Sequence, residues 1–582
     1  MASSPTPEVP PVWVRRYPAG VPPRIEIPDR MLTELVAESA EKWGDRTALV
    51  YYGATWTYRR FWRESEGFAA ALARDGIGPG DRVAIYLPNC PAYPIALFGI
   101  LRLGAIAVQV SPLYIGQDLV RLLRDSEPKA IVTLEILYPN LAKVRSEHEV
   151  PVAYVGRLRD LYPWYARPFV NRVLRRQRMP TAFPEGPSIR PLRAALRTPG
   201  APPLYRAAPS TTVAVLQYTG GTTGRPKAAM LSHRNLVANV TQANTWNTTR
   251  ISGSETLVAA IPFFHIYGLT VGMLMGLADG ATVVIQTRPE IRELLRLIDR
   301  YRPTQFPGVP ALYQAFNQQP DVASFRIHSI KFCLSGSAPL PLEVARRFEA
   351  LTGASLVEGY GLSETSPATH VNPVAGERRA GSIGLPLPNT EERIVDPEDP
   401  HRVLGPDEVG ELSVRGPQVM LGYYHQPEET AAVLEDGWFL TGDIARIDAD
   451  GYAYIVDRKK DMINVSGLKV YPREVEEVLF QHPAVADAAA IGVPDEEHGE
   501  VVKAFVVRKP GAAVTAEELI AFVRERIAHY KAPRTVEFRD SLPRSGVQKV
   551  LRRVLREPTS NPSSPSEAQR PEARPPPRRT GA

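Results

Sequence analysis

From Met31 to about Gln286, helical patterns alternate with short apolar runs, among them Arg82-Val83-Ala84-Ile85-Tyr86-Leu87, Ile106-Ala107-Val108-Gln109-Val110 and Ala281-Thr282-Val283-Val284-Ile285. Runs this short and this apolar read as strands buried on both faces. Strands that alternate with helices build layered α/β architecture with largely parallel sheets, because a parallel return needs a crossover long enough to hold a helix. Residues 380 to 456 change character, with short strands such as Gly410-Glu411-Leu412-Ser413-Val414 separated by Gly and Pro turns. They read as a small β-rich subdomain. A third pattern follows Asp457-Arg458-Lys459-Lys460-Asp461. A helix is expected near Pro472-Arg473-Glu474, with Val475, Val478 and Leu479 as its apolar stripe, then strands at Ala488 to Val493 and Val501 to Val507. Thr515-Ala516-Glu517-Glu518 reads as a capping box before a helix whose Leu519, Val523 and Ile527 share one face.

The expected fold is therefore α/β: a large N-terminal domain of layered α/β subdomains plus a small β-rich subdomain, followed by a mobile small α+β C-terminal domain. Its expected parts are an irregular lead-in at 1–30, a domain at 31–457, a hinge at 458–461, a module at 462–557 and a Pro- and Ser-rich tail of disordered type at 558–582.

A chain of 582 residues, 44% hydrophobic and 23% charged, has the composition of a soluble globular protein with more than one core. Two cysteines, Cys90 and Cys333, argue against a disulfide framework and fit a reducing cytoplasm. The first thirty residues hold no apolar segment of signal-peptide type. Tyr267 to Ile285 is the most apolar long stretch, with Gly268, Gly272, Gly276 and Gly280 at every fourth position. Its Asp279-Gly280 ending favours a buried soluble helix over a membrane span.

Net charge is +6, but it is local: ten arginines against Asp160 and Glu185 between Arg157 and Arg197 give +8, which leaves −2 for the rest. In that insertion Leu161, Tyr162, Trp164, Tyr165, Phe169, Val170, Val173 and Leu174 interleave with Arg167, Arg172, Arg175, Arg176 and Arg178. Three readings stand: peripheral contact of residues 157–178 with an anionic membrane, an ordinary Arg-rich surface insertion, and, less favoured, a nucleic-acid patch. No nucleic-acid partner is expected.

Thr219-Gly220-Gly221-Thr222-Thr223-Gly224-Arg225-Pro226-Lys227 lies between the apolar runs Val213-Ala214-Val215-Leu216 and Ala228-Ala229-Met230-Leu231. Three glycines free the backbone, threonines add hydroxyl donors, and Arg225 and Lys227 add positive charge, a set suited to a polyanion. The loop joins two strands, and the next helix starts later, at an N-cap such as Ser232. A Walker loop instead opens a helix directly.

Three more segments complete the set. Gly359-Tyr360-Gly361-Leu362-Ser363-Glu364-Thr365 puts an aromatic ring, hydroxyls and a carboxylate on a Gly-flanked turn. Trp438-Phe439-Leu440-Thr441-Gly442-Asp443 ends an apolar run in a carboxylate. Leu542-Pro543-Arg544-Ser545-Gly546-Val547-Gln548-Lys549 delivers a lysine on a short loop. Asp443 suits ribose hydroxyls or a metal, the ribose fitting its two oxygens better. His265 reads equally as a pocket residue or a core histidine, while His233 and His498 read as surface or structural.

In this order the motifs resemble the adenylate-forming superfamily of acyl-CoA synthetases, luciferases and peptide-synthetase adenylation domains, over residues 30 to 557. The resemblance implies activation of a fatty acid with ATP to acyl-AMP and pyrophosphate, then transfer to CoA. It implies that Thr219, Gly220, Gly221, Thr222, Thr223, Gly224 and Lys227 position the ATP phosphates. Tyr360, flanked by Gly359, Gly361 and Ser363, would stack on adenine beside Gly336-Ser337-Ala338. Asp443 with Arg458 would hold the ribose, Glu364 with Thr223 would hold Mg²⁺, and Lys549 would reach the carboxylate and α-phosphate. His265, Gly268 and Gly272 would border the acyl pocket. Lys460 would be the hinge, and Gly467 and Lys469 would face CoA. The family usually has Gly immediately before the catalytic lysine, where this chain has Gln548; if that Gly uses φ > 0, Gln548 adds roughly 1 kcal/mol of strain.

Leu216-Gln217-Tyr218 leading into the loop, and Arg458-Lys459-Lys460-Asp461-Met462-Ile463, look most like bacterial long-chain fatty acyl-CoA ligases. The alternatives are a medium-chain or aryl ligase, a fatty acyl-AMP ligase, a peptide-synthetase adenylation domain and a non-catalytic sensor of nucleotide or fatty acid.

Overall fold

The computed structural model describes residues 11–145, 147–219, 226–288, 290–495, 497–544 and 550–556. Gly220, Gly221, Thr222, Thr223, Gly224 and Lys549, together with Gln548 and the tail, lie outside them. The chain divides into two compact units, whose boundary falls between Met462 and Ile463.

The large unit is layered α/β. Its first sheet runs Ile189–Pro191, Val152–Gly156, Ala130–Leu134, Arg82–Tyr86, Ile106–Gln109, Val213–Thr219, Lys227–Ser232. Every neighbouring pair is parallel except the last. Helices Ala92–Arg102 and Gly116–Ser126 make crossovers in it, while Tyr58–Arg74 leads into it from the second sheet. Ala92–Arg102 buries nearly every residue, including Tyr93, Ile95, Leu97, Phe98, Ile100 and Leu101, so its sequence is apolar all round.

A second sheet orders Thr256–Ala259, Thr282–Ile285, Thr47–Tyr51 and Ala54–Thr57. A third orders Phe332–Ser335, Ser355–Gly361, Ala368–Val371 and Leu385–Pro386. Single bridges from Leu257 to Gln305 and from Gln305 to Phe332 stitch these two together. The stretch expected as one buried helix is helical from Ile266 to Ala278, but Thr270–Leu274 widens into a π-turn. Asp279 caps it, and Gly280 takes φ +75°.

Residues 391–458 form an antiparallel sheet of Glu391–Val395, Gly410–Arg415, Trp438–Ile447 and Leu434–Glu435, with Ala453–Arg458 pairing the long strand. The segment ahead of Met31 is tied down in its described part. Arg16 pairs with Glu377 and Asp450, and the Tyr17 hydroxyl donates to the Pro386 carbonyl.

The small unit has its own core of Ile463, Val470, Val475, Leu479, Ala490, Val502, Ala504, Leu519 and Val523. Its sheet pairs Leu468–Val470, Ile463–Val465, Gly499–Arg508 and Val485–Asp495 antiparallel, with Thr535–Phe538 added in parallel. Helix Pro472–Phe480 starts on its proline, and Ala516–Arg524 starts on a capping box in which Thr515 Oγ1 accepts from Glu518 N at 3.2 Å.

Candidate active site

The loop read as a phosphate clamp is flanked by two strands. Val213–Thr219 and Lys227–Ser232 run antiparallel, with Thr219 opposite Lys227, and Ser232 caps the helix His233–Trp246. Leu421 to Tyr424 lies along the free edge of Lys227–Ser232: Met230 N donates to the Gly422 carbonyl, Leu421 N to Met230, and Tyr424 N to Ala228, at 2.8 to 3.0 Å. That edge pairing carries Tyr423 to the loop. The Tyr423 hydroxyl donates to Glu364 Oε1 at 2.8 Å, and Lys227 Nζ stands 5.3 Å from the centroid of its ring. Lys227 itself pairs with Glu429 Oε2 at 2.5 Å, and Gln426 Nε2 donates to the Pro226 carbonyl at 3.1 Å.

Glu364 sits in the short turn Ser363–Thr365 that follows strand Ser355–Gly361. The turn is held by its neighbours: Leu362 N donates to Thr365 Oγ1, Leu362 N also to the Pro367 carbonyl, and Met420 N to the Glu364 carbonyl. Gly361 must be bare, because a Cβ there would stand 1.9 Å from the Pro367 oxygen. Burial pushes the Glu364 carboxyl up, while the Tyr423 hydroxyl and, at longer range, Arg458 pull it back down. Glu364 Oε2 makes no hydrogen bond among the described residues, so one carboxylate oxygen is available. Among them no three His, Cys, Asp or Glu side chains gather as a metal cage. A lone carboxylate linked through Tyr423 to Lys227 has a donor set that fits Mg²⁺, which is usually held by one or two carboxylates plus substrate phosphates.

Next to this pair lies a second contact. The Tyr360 hydroxyl donates to Asp443 Oδ2 at 2.6 Å, and Arg458 Nε lies 3.7 Å from Asp443 Oδ1. Sheet register places them: Asp443 and Arg458 are opposite each other on Trp438–Ile447 and Ala453–Arg458. Asp443 is only 6% exposed, its amide donates to Thr441 Oγ1, and Gly442 turns the chain at φ +72°. Burial and the Asp443 charge push the Tyr360 phenol well up, so it stays a donor. Tyr360 opposes His370 in the sheet, and His370 Nε2 meets Glu392 Oε2 at 2.9 Å in full burial, a rigid backing for the ring.

Gly336-Ser337-Ala338 follows strand Phe332–Ser335, with Ser337 at φ +71° and Gly336 facing the Tyr267 ring. The Tyr267 hydroxyl donates to the Leu334 carbonyl at 2.6 Å. His265 caps the turn that starts Ile266–Leu269, its Nδ1 accepting from Tyr267 N at 3.2 Å. Gly268 is bare because the Pro262 oxygen would lie 2.0 Å from a Cβ, whereas one on Gly272 would meet nothing within 4 Å. The buried π-turn therefore borders open space at Gly272. Thr270 Oγ1 donates to the Ser366 carbonyl at 2.7 Å, which joins that turn to the Glu364 segment. Gln217 Nε2 donates to the Phe264 carbonyl, tying the same wall to the phosphate-loop strand.

Lys460 is exposed in the turn Lys459–Asp461. In the small unit Ser466 and Gly467, both at positive φ, close a two-residue hairpin, with Lys469 exposed on its second strand. Of the expected residues the structure thus brings Tyr360, Asp443 and Arg458 together, and Glu364 together with Lys227 through Tyr423. Tyr423 and Glu429 were missed; the signal available was the Gly422-Tyr423-Tyr424 run inside the β-rich region, a pattern that does not name its partner strand.

Residues 36–424 match the AMP-binding enzyme family, and residues 474–549 match its C-terminal domain. The chain belongs to the AMP-binding enzyme family. It is 41% identical over 552 residues to the long-chain-fatty-acid–CoA ligase of Bacillus subtilis (strain 168), covering 94% of this chain and 98% of that protein. It is 42% identical over 554 residues to the enzyme of the same name from Escherichia coli O157:H7, with the same coverage. Among solved structures, ATP-bound MatB from Rhodopseudomonas palustris superposes with a TM-score of 0.77 at 28% identity, covering 90% of this chain and 98% of that one. The AMP-binding family thus accounts for both the layered α/β unit and the small unit that follows it.

Proposed function

We propose that this chain is an AMP-forming ligase that joins a long-chain fatty acid to CoA. The observation that carries the reading is the adjacency of two contacts, Tyr360–Asp443–Arg458 and Glu364–Tyr423–Lys227, the second of which reaches the strand Lys227–Ser232 that follows the glycine-rich loop. The first has the chemistry of a nucleoside seat: an aromatic face, and a buried carboxylate with lone pairs left for two vicinal hydroxyls. The second has that of a triphosphate seat. Near-full-length likeness to two long-chain ligases supports the acyl class.

In the first half reaction a carboxylate oxygen of the fatty acid attacks the ATP α-phosphorus, and the bond to the β-phosphate bridging oxygen breaks, releasing pyrophosphate. Two anions must approach, so the site has to neutralise charge while aligning them. Lys227 and the loop Gly220–Arg225 hold the leaving pyrophosphate. Lys549 spans the attacking carboxylate and the α-phosphate, and Asp443 with Arg458 fixes the ribose so that the α-phosphate is presented in line. Glu364 with Thr223 would hold Mg²⁺, which when bound would supply charge neutralisation for the phosphates. In the second half reaction the CoA sulfur attacks the acyl carbonyl carbon and AMP leaves. Lys549 is not needed there, and rotation of residues 462–557 about Lys460 would bring Gly467 and Lys469 to the thiol instead. His265 and the open space at Gly272 border the acyl chain.

AMP and acyl-CoA measured over a panel of acids of increasing length test the reading, with the best kcat/KM expected at long chains. AMP without acyl-CoA would turn it into an acyl-AMP ligase, and no acid-dependent AMP would overturn it. Lys549→Ala is expected to bind ATP but to lose about two to three decades of ATP–pyrophosphate exchange; unchanged exchange removes Lys549 from the role.

A further inference from the structure

The insertion between the strand Val152–Gly156 and the phosphate loop ends in a face that the proposed chemistry does not use. Helix Arg167–Arg176 turns Val170 and Leu174 inward, four residues apart, and presents Phe169, Arg172 and Arg176 outward. Trp164, Tyr165 and Phe169 are 78%, 65% and 68% exposed. Such exposure of three large rings within six positions is a cost in water that a partner must offset. Arg172, Arg175, Arg176 and Arg178 are exposed beside them, and no acidic residue occurs from Leu161 to Pro184. The two acids of the insertion are already engaged, Asp160 by Arg159 and Arg193, Glu185 by Arg157. Among the described residues none of the four exposed arginines forms an ion pair. Pro168, Asn171, Arg172, Arg175 and Arg176 line an open cleft of about 500 Å³.

This face rests on a rigid footing. Tyr162 stacks on Tyr52 with ring centroids 5.2 Å apart and planes 13° from parallel, and it meets Tyr51 edge-on at 5.4 Å. Gly53, at φ +87°, completes that turn beneath Pro163 and the Tyr165 hydroxyl. Arg157 lies over the Phe183 ring and closes the base.

We propose that residues 162–178 dock this protein onto the surface of an anionic phospholipid bilayer, with Trp164, Tyr165 and Phe169 among the upper acyl carbons and Arg172, Arg175, Arg176 and Arg178 on headgroup phosphates. Aromatic rings at the headgroup level flanked by arginines are the composition of an interfacial anchor. The bilayer is favoured over nucleic acid because the positive charge ends with the insertion, leaving the remainder of the chain slightly negative, whereas a nucleic acid needs a longer basic track. The surface goes beyond the ligase reading: it delivers the enzyme to where long acyl chains are dissolved.

Co-sedimentation of the full chain with vesicles of phosphatidylcholine alone and of phosphatidylcholine with phosphatidylglycerol tests the proposal. Binding is expected to the anionic vesicles, and Arg172→Gln with Arg175→Gln and Arg176→Gln is expected to weaken it about 100-fold. Trp164→Ala with Phe169→Ala is expected to abolish quenching by bromine-labelled lipid and to lower binding even at reduced salt. These positions are exposed, and an unchanged melting temperature confirms the fold. Vesicle binding by both variants as tight as that of the parent chain, or binding of duplex or single-stranded nucleic acid tighter than that of anionic vesicles, overturns the docking surface. Vesicle binding reads no catalysis, so a chain that binds through this face yet forms no acyl-CoA leaves the surface standing and removes the ligase reading.

Discussion

Tyr423 links a carboxylate to a cation: its hydroxyl donates to Glu364 while its ring faces Lys227. Tyr423→Phe keeps the ring and deletes the donor, which leaves Glu364 Oε1 unsatisfied in a half-buried place. A hydrogen bond to a charged group contributes about 1.5–3 kcal/mol, so ATP–pyrophosphate exchange is expected to fall at least about tenfold. Leucine at the same position should cost more, since it also removes the ring from Lys227; equal rates for all three proteins would free Tyr423 from any positioning role. Tyr360, Glu364 and Asp443 were legible in the sequence as polar side chains close to glycines; Tyr360 and Asp443 lie on strands and Glu364 on the short turn Ser363–Thr365. Tyr423 and Glu429 were not, because they reach Lys227 across about 200 residues by edge pairing, and no local pattern encodes a partner so distant.

The strands that bracket the glycine-rich loop were legible as elements, since a short apolar run on each side of a glycine cluster, the first with Val213 and Val215, leaves few other folds. The π-turn was not. Glycines at 268, 272, 276 and 280 read as one helix face, and a single extra residue per turn at Thr270–Leu274 does not disturb a pattern of apolar residues buried on all sides. What marks it in the structure is the Thr270 hydroxyl bonded to the Ser366 carbonyl. The turn that carries Glu364 depends in the same way on contact. Gly361→Ala drives a methyl into the Pro367 carbonyl, and the overpacking is expected to cost about 1–3 kcal/mol, read as a lower midpoint in urea. Exchange activity should fall with it, because the displaced backbone leads directly to Glu364; a midpoint and rate equal to the parent would show that the turn has room.

Over the whole molecule, layered α/β organisation was legible from alternation, whereas the order of the seven-stranded sheet was not, because crossovers rather than neighbours in sequence set it. The stitch through Gln305 between two sheets is invisible for the same reason. Global stability should respond to acid through His233, which is fully buried, accepts from Leu32 N at 3.1 Å and is pushed down to about 3 by burial. Unfolded, it takes up a proton near its ordinary value of 6.5, so folding excludes that proton. Its contribution is therefore full above pH 6.5 and is lost progressively as pH falls from there toward 3. His233→Asn keeps an acceptor without the titration, and its urea midpoint should fall less steeply over that window; parallel curves would exonerate the histidine. One last tie has its effect before the protein is finished. Arg16 bonds to Asp450 across 434 residues, and Trp13 fills the space that a side chain at Gly451 would need. At about 5–20 residues per second, synthesis of the intervening chain takes roughly 20–90 s. For that time the segment around Trp13 and Arg16 lacks these partners, so this seam of the large unit cannot close until residues near 450 have been made.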